Sequence, residues 1–292
     1  MRSVFNPSRR ALLAAAALAP LAGCTSLDAL NGLNSLTPGD GDTAQIAQDI
    51  AYGTSPRQML DVYAPQSPGP HPVLVFFYGG SWQTGQRQDY GFVARALAAL
   101  GHVVVVPDYR LAPAHAYPDF LKDGAAAVRW TQSYIADHGG DPNHITTIGH
   151  SAGAYIALML ALDPRWLGPQ TPLKAAIGLA GPYDFLPFAP GGAAEIAFGH
   201  IREPAQTQPI TYAGAGKPPV LLLQGEADDT VLPHNARNLA AALTKAGSPA
   251  TLKLYPGLGH IGILLALSKP FRSKAPILAD IAGFLSEDGA GV

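Results

Sequence analysis

Six short, nearly all-apolar runs separated by longer stretches of helical periodicity constrain this chain more than any other feature of its sequence. Val73-Leu74-Val75-Phe76-Phe77-Tyr78 is β-branched and aromatic and stops at Gly79-Gly80; similar runs occupy 103–106, 145–148, 175–179, 220–223 and 252–255. Between and after them, 92–100, 125–136, 154–162, 235–246 and 276–285 read as helices. A strand that is apolar at every position has no face for water, so both of its sides must be covered. Strand–helix alternation supplies that cover and predicts an α/β fold: a mostly parallel central sheet with helices on both faces. The stretch 181–216 is rich in Pro and Gly without a clear period, and reads as a small cap or loop insertion.

The chain has 292 residues, 48% of them hydrophobic, enough for one domain with a sizeable core. Its net charge is −2 and only 14% of residues are charged. With no basic face or run in the body of the chain, nucleic acid is not an expected partner. The single cysteine, Cys24, allows no intrachain disulfide and no cysteine-rich metal site. It closes a segment that is charged first (Ser8-Arg9-Arg10), then apolar, then small (Leu21-Ala22-Gly23-Cys24). That segment is too short for a comfortable permanent span and reads as an export signal. The paired arginines resemble a twin-arginine signal and the end resembles a bacterial lipobox, which implies lipidation of Cys24; cleavage without lipidation is the alternative. The expected organisation is an export signal at 1–24, a flexible Gly-rich tether at 25–45 and a catalytic domain at 46–292, folded to about Leu285. The expected location is outside the cytoplasm, on a membrane through the lipid anchor.

Gly149-His150-Ser151-Ala152-Gly153 lies between an expected strand and an expected helix. Small residues there let strand and helix close tightly around the serine, lifting its hydroxyl to the helix N-terminus, where backbone N–H groups face outward. A hydroxyl is a weak nucleophile and needs a base. Of nine histidines, His260 follows the last strand in Pro256-Gly257-Leu258-Gly259-His260, at the sheet edge where ligands gather in parallel folds. It is read as sitting on a flexible loop. His234 beside the acidic turn suits a capping role, and His150 is expected to point away from the site. The imidazole needs an acid, and Glu226, Asp228 and Asp229 compete in the turn after the run at 220–223. Asp228 is preferred, with Asp229 second, giving the chain order Ser151, Asp228, His260. For the oxyanion of an acyl-transfer intermediate, the N–H groups of Gly80, Ser81 and Ala152 are the candidate donors. Trp82, Tyr183, Phe185 and Phe188 are candidate pocket residues. The set implies no metal and no organic cofactor.

Taken together, Tyr78-Gly79-Gly80-Ser81-Trp82, Asp108-Tyr109-Arg110-Leu111-Ala112-Pro113, the serine turn, 225–231 and Gly259-His260 resemble an α/β-hydrolase of the hormone-sensitive-lipase-like and feruloyl- or acetyl-esterase-like group of bacterial carboxylesterases. The similarity covers roughly 46–285. It implies an α/β-hydrolase fold, Asp228 as the triad acid and esters of small acyl groups as substrates. Two positions depart from the group's pattern: Tyr78 stands where a histidine is usual, and Ser81 where a third glycine is usual. The Gly-Gly-x-Trp turn is also similar to formamidase-like and carbohydrate acetylesterase-like members, so an amidase, a formamidase or a carbohydrate acetylesterase is an alternative with the same triad. A ligand-binding surface lipoprotein is the non-enzymatic alternative. Arg110 is expected to hold the loop behind the oxyanion turn through charge-assisted bonds.

Overall fold

The structure is a computed structural model and describes residues 40–168, 171 and 173–289. The export signal, Cys24 and residues 25–39 of the expected tether lie outside the described residues. Among the described residues eight strands form one sheet in the order β1-β2-β4-β3-β5-β6-β7-β8. They are β1 (Thr43–Ala51), β2 (Met59–Pro65), β3 (His71–Phe77), β4 (Val103–Pro107), β5 (Gly140–His150), β6 (Ala175–Leu179), β7 (Val220–Gly225) and β8 (Ala250–Tyr255). β2 pairs antiparallel with both β1 and β4, and every adjacent pair from β4 through β3 to β8 is parallel. This is the α/β-hydrolase fold. The interleaved helices are α1 (Gly91–Ala98), α2 (Asp119–Tyr134), α3 (Ala152–Leu162), α4 (Ala193–Phe198), α5 (His234–Lys245), α6 (His260–Leu265) and α7 (Ile277–Gly289).

The sheet order explains where a site can form. From β3 the chain crosses through α1 to β4 on one side, then returns through α2 to β5 on the other side of β3. Right-handed crossovers then place α1 on one face and α2 and α3 on the other. The chain leaves the C-terminal ends of β3 and β5 in opposite directions, which opens a crevice there. Tyr78-Gly79-Gly80 and Ser151 both lie at that crevice. The central strands are sealed: Val73 to Phe77, Val103 to Val106 and Val220 to Leu223 are all essentially inaccessible. Their apolar side chains contribute about 25 cal/mol for each Å² removed from water.

Two strands escape the apolar-run reading. β2 carries a carboxylate, Asp61, between the buried Leu60 and Val62. Asp61 is itself buried because Arg87 donates to it at 2.8 Å, from 26 positions along the chain. β1 is a polar edge strand with no all-apolar run. It starts at Thr43, so the folded unit begins inside the segment expected to be tether; Asp40 is already buried and paired with Arg272 at 3.0 Å. The Pro- and Gly-rich stretch holds α4 and two single 3-10 turns. Phe198 of α4 packs on Trp82 and Tyr155, so this insertion lies against α3 beside the crevice.

His102, at the start of β4, gives the fold a pH dependence. Burial, reinforced by His144 and His71, pushes its pKa down to about 4, against the opposing bond to the Leu100 carbonyl. The unfolded chain takes up this proton near pH ~6.5, the folded chain only near 4. The stabilisation is therefore complete above the unfolded value and is lost as pH falls from there towards 4, a change worth about 3 kcal/mol. His102→Gln should flatten the decline in unfolding free energy across that window, read by urea denaturation at stepped pH. An unchanged slope would rule His102 out as its source.

Candidate active site

Ser151 occupies the single position between β5 and α3, with φ 55° and ψ −123°. A side chain in that region costs about 1–3 kcal/mol, so the surroundings must enforce it. They do so by close approach. A Cβ on Gly153 would fall 2.0 Å from the Phe77 carbonyl oxygen, so α3 starts where only a glycine lets it touch β3. The Ser151 N–H donates to Leu179 at the end of β6 at 2.9 Å, and its carbonyl accepts from Tyr155 of α3 at 3.1 Å.

Three side chains meet in one hydrogen-bonded line. His260 Nε2 lies 2.9 Å from Ser151 Oγ, and His260 Nδ1 lies 2.9 Å from Asp228 Oδ2. Asp228 is fixed from three further directions. Its Oδ1 accepts from the N–H groups of Thr230 at 3.0 Å and Val231 at 2.9 Å, and its Oδ2 accepts from Gln224 Nε2 at 3.0 Å. Burial alone would raise the Asp228 pKa. The bonds from His260, Val231 and Thr230 and the charge of His260 outweigh it and hold the carboxyl below its ordinary value. The group is therefore ionised at neutral pH, as a partner for an imidazolium must be. Of the competing carboxylates, Glu226 pairs with Arg237 at 2.8 Å, and Asp229 is exposed beside Thr230.

The oxyanion turn is held just as firmly. Gly80 (φ 131°), Ser81 (φ 54°) and Trp82 (φ 60°) are successive left-handed residues, and a Cβ on Gly80 would sit 2.2 Å from the Thr84 carbonyl oxygen. The turn closes through Gln83 and Thr84 N–H bonds to the Gly80 carbonyl at 2.9 and 3.0 Å, and through the Ala112 N–H to Trp82 at 2.8 Å. Among the described residues the N–H groups of Gly80, Ser81 and Ala152 have no hydrogen-bond acceptor. The start of the turn approaches the serine: a Cβ on Gly79 would be 3.1 Å from that of Ser151.

Behind the turn, Tyr78 is buried, donates to Asp108 at 2.7 Å and accepts from Arg57 at 2.7 Å, while the Tyr109 hydroxyl donates to the Tyr78 carbonyl at 2.9 Å. Burial first, then Tyr109 and Asp108, drive the Tyr78 pKa far up, so it remains a neutral donor. Tyr78 thus anchors the turn in place of the usual histidine. Arg110 forms charge-assisted bonds that clamp its loop to Asp123 of α2 at 2.8 Å, while its neighbours Asp108 and Tyr109 bond directly to Tyr78 at the start of the turn.

Three expectations change. His260 does not lie on a loop but is the first residue of α6. His150 does not point away: its ring centroid is 4.9 Å from that of His260. A cleft of about 370 Å³ beside His150 and His260 is bounded also by Gly80, Tyr90, Thr230 and Leu264, and includes none of the four predicted aromatic residues. Tyr183 is wholly buried against Gly178 and Gly181 and belongs to the core. Trp82 is 4% exposed and packs with Phe120, Tyr155 and Phe198. Phe188 stacks on Phe198, and Phe185 lines an adjoining groove with Leu186 and Leu232 that shares only Thr230 with the cleft. Gln224 was not foreseen, although a lone amide ending an all-Leu run before an acidic turn is a readable signal.

Residues 60–243 match the family model BD-FAE. A probable isoprenylcysteine alpha-carbonyl methylesterase of Oryza sativa subsp. japonica is 31% identical over 272 residues, 84% of this chain and 65% of that protein. Esterase LipC of Mycobacterium tuberculosis is 30% identical over 72% of this chain and 58% of its own length. The chain thus spans between half and two thirds of the length of these curated relatives. Among solved structures, a truncated carbohydrate esterase from gut microbiota superposes with a TM-score of 0.77 at 20% identity, covering 87% of this chain and 99% of that one. The propionate-bound thermophilic esterase Est2 of Thermogutta terrifontis gives 0.68 at 25% identity, covering 86% of this chain and 95% of that one.

Proposed function

We propose, on the premise that this chain belongs to the BD-FAE family of the α/β-hydrolase superfamily, that it is a serine carboxylesterase acting on esters of small acyl groups. The observation that carries this reading is the hydrogen-bonded line Ser151–His260–Asp228 beside three backbone N–H groups with no acceptor. In the first half-reaction His260 Nε2 takes the Ser151 proton as Oγ bonds to the ester carbonyl carbon. The carbonyl electron pair moves onto oxygen, facing the N–H groups of Gly80, Ser81 and Ala152. Collapse breaks the carbon–oxygen bond to the alcohol, which leaves with the proton from His260. Water then attacks the acyl-enzyme, giving its proton to His260; the acyl–Oγ bond breaks, the acid is released and His260 returns the proton to Ser151 Oγ. Asp228 stays ionised and stabilises the imidazolium in both halves.

Small acyl groups are supported by the cleft, whose roughly 370 Å³ is at the low end for ligand sites. The related Est2 has been captured with propionate and with butyrate. On p-nitrophenyl esters, kcat/KM should peak between acetate and butyrate and fall at least about tenfold by octanoate, a loss of ~1.4 kcal/mol. N-formyl and other amide substrates should turn over much more slowly. A rising trend with chain length, or faster amide cleavage, would overturn the assignment.

The proposal extends to location: export under the segment at 8–24 and lipidation of Cys24, supported by the Arg9-Arg10 pair and the Leu-Ala-Gly-Cys sequence. Cys24→Ser should move the expressed protein from the membrane pellet to the soluble fraction. Equal membrane association of both forms would contradict a lipid anchor at this residue.

A further inference from the structure

We propose that His150 is a positioning residue for the base: its ring ties the main chain of His260 to the end of β5, so the dipeptide His150-Ser151 sets both nucleophile and base. This rests on the reading of His260 as the base. His150 is 2% exposed and its Nε2 lies 3.0 Å from the His260 carbonyl oxygen. A carbonyl only accepts, so Nε2 carries the proton and Nδ1 is bare. That Nδ1 is buried without a hydrogen-bond partner among the described residues, and a Cβ on Gly79 would be 3.0 Å from it. The imidazole is thus wedged between the oxyanion turn and the first residue of α6.

An apolar side chain of similar size would fill this space without burying an unpartnered acceptor, which is costly. What the imidazole adds is the donor. Gly259 is extended and α6 begins at His260, so the residue that carries the base is the first of a short helix whose opening N–H groups have no helical acceptor. Pinning the His260 carbonyl fixes that peptide while its ring stays 2.9 Å from both Ser151 and Asp228. Burial, reinforced by His260, pushes the His150 pKa down to about 3. The tie therefore keeps one tautomer over the neutral range and puts no cation beside His260 as it becomes imidazolium.

Glutamine and methionine are unbranched and of equal length, but only glutamine can place a donor near the imidazole Nε2. His150→Gln should retain kcat within about threefold, whereas His150→Met should lose about 30- to 100-fold in kcat, the scale expected from a misplaced base, with KM nearly unchanged. The downfield proton resonance of the His260 Nδ1–H bonded to Asp228 should persist in His150→Gln and broaden or vanish in His150→Met. His150→Asn, which falls short of the carbonyl, gives the same comparison if the methionine variant does not fold. Equal kcat and equal resonances in the glutamine variant and in the methionine or asparagine variant would overturn the tie. A preserved contrast in the resonance with no esterase activity in the wild-type protein would instead overturn the esterase reading and leave the tie standing.

Discussion

Ser151→Ala is expected to lower kcat towards p-nitrophenyl acetate by about 10⁵-fold while leaving the fold intact, the scale seen when a serine triad loses its nucleophile. Both halves of that expectation follow from the geometry. The hydroxyl oxygen is the only atom removed, and its side-chain bond is the one to His260 Nε2 at 2.9 Å. The φ of 55° at this position depends on the Cβ, which alanine keeps, so the backbone strain is unchanged. Unfolding free energy should shift by less than about 1 kcal/mol. Ser151→Gly separates the two effects: equally inactive, but stabilised by relief of the positive φ. A Ser151→Ala protein that folds and keeps more than about a tenth of wild-type kcat would remove the serine from the reaction.

The second large effect is expected from Asp228→Asn, at about 10⁴-fold in kcat. The Thr230 and Val231 N–H groups, at 3.0 and 2.9 Å, require an oxygen at the Oδ1 position. The new amide must therefore turn its NH₂ towards His260 Nδ1 and Gln224 Nε2. Both of those are donors in the native site, so the imidazole has to move its proton to Nε2, where it can no longer accept from Ser151. Gln224 Nε2 meanwhile loses one of three acceptors and keeps the Gly225 and Val231 carbonyls, each at 3.1 Å, which should cost about 1 kcal/mol of stability. An active Asp228→Asn, or one inactive only because it is unfolded, would argue against this role. Substitution of Asp229, which is exposed and does not touch His260, should leave kcat within about twofold.

The sequence displayed the parallel part of the sheet because the central stretches of β3 to β7 are buried on both faces, so burial and apolar composition largely coincide there. It concealed β2 because a buried carboxylate and its arginine are far apart in the chain: Asp61 reads as surface until Arg87 is seen to reach it. The serine turn was legible because close approach of strand and helix demands small residues at fixed offsets. The acid was only partly legible. Glu226, Asp228 and Asp229 share one turn, and what singles out Asp228 is its contact with His260, Gln224 and two backbone donors. The aromatic residues misled for a related reason. Tyr183 and Trp82 stand beside loops in the sequence, but whether such a ring lines a cleft or fills the core depends on neighbours such as Gly178 and Phe198. The direction of His150 was not legible because its ring is met by the His260 carbonyl, which comes from 110 residues further along the chain.

The central claim, that Ser151 is the activated nucleophile of a Ser–His–Asp site, is tested most directly by exposing the folded protein to a fluorophosphonate and locating the adduct by peptide mass spectrometry. The expected result is one phosphonyl group per chain, on Ser151, absent from Ser151→Ala and formed far more slowly in Asp228→Asn. A folded protein that stays unlabelled, or that carries the group on a different serine, would contradict it.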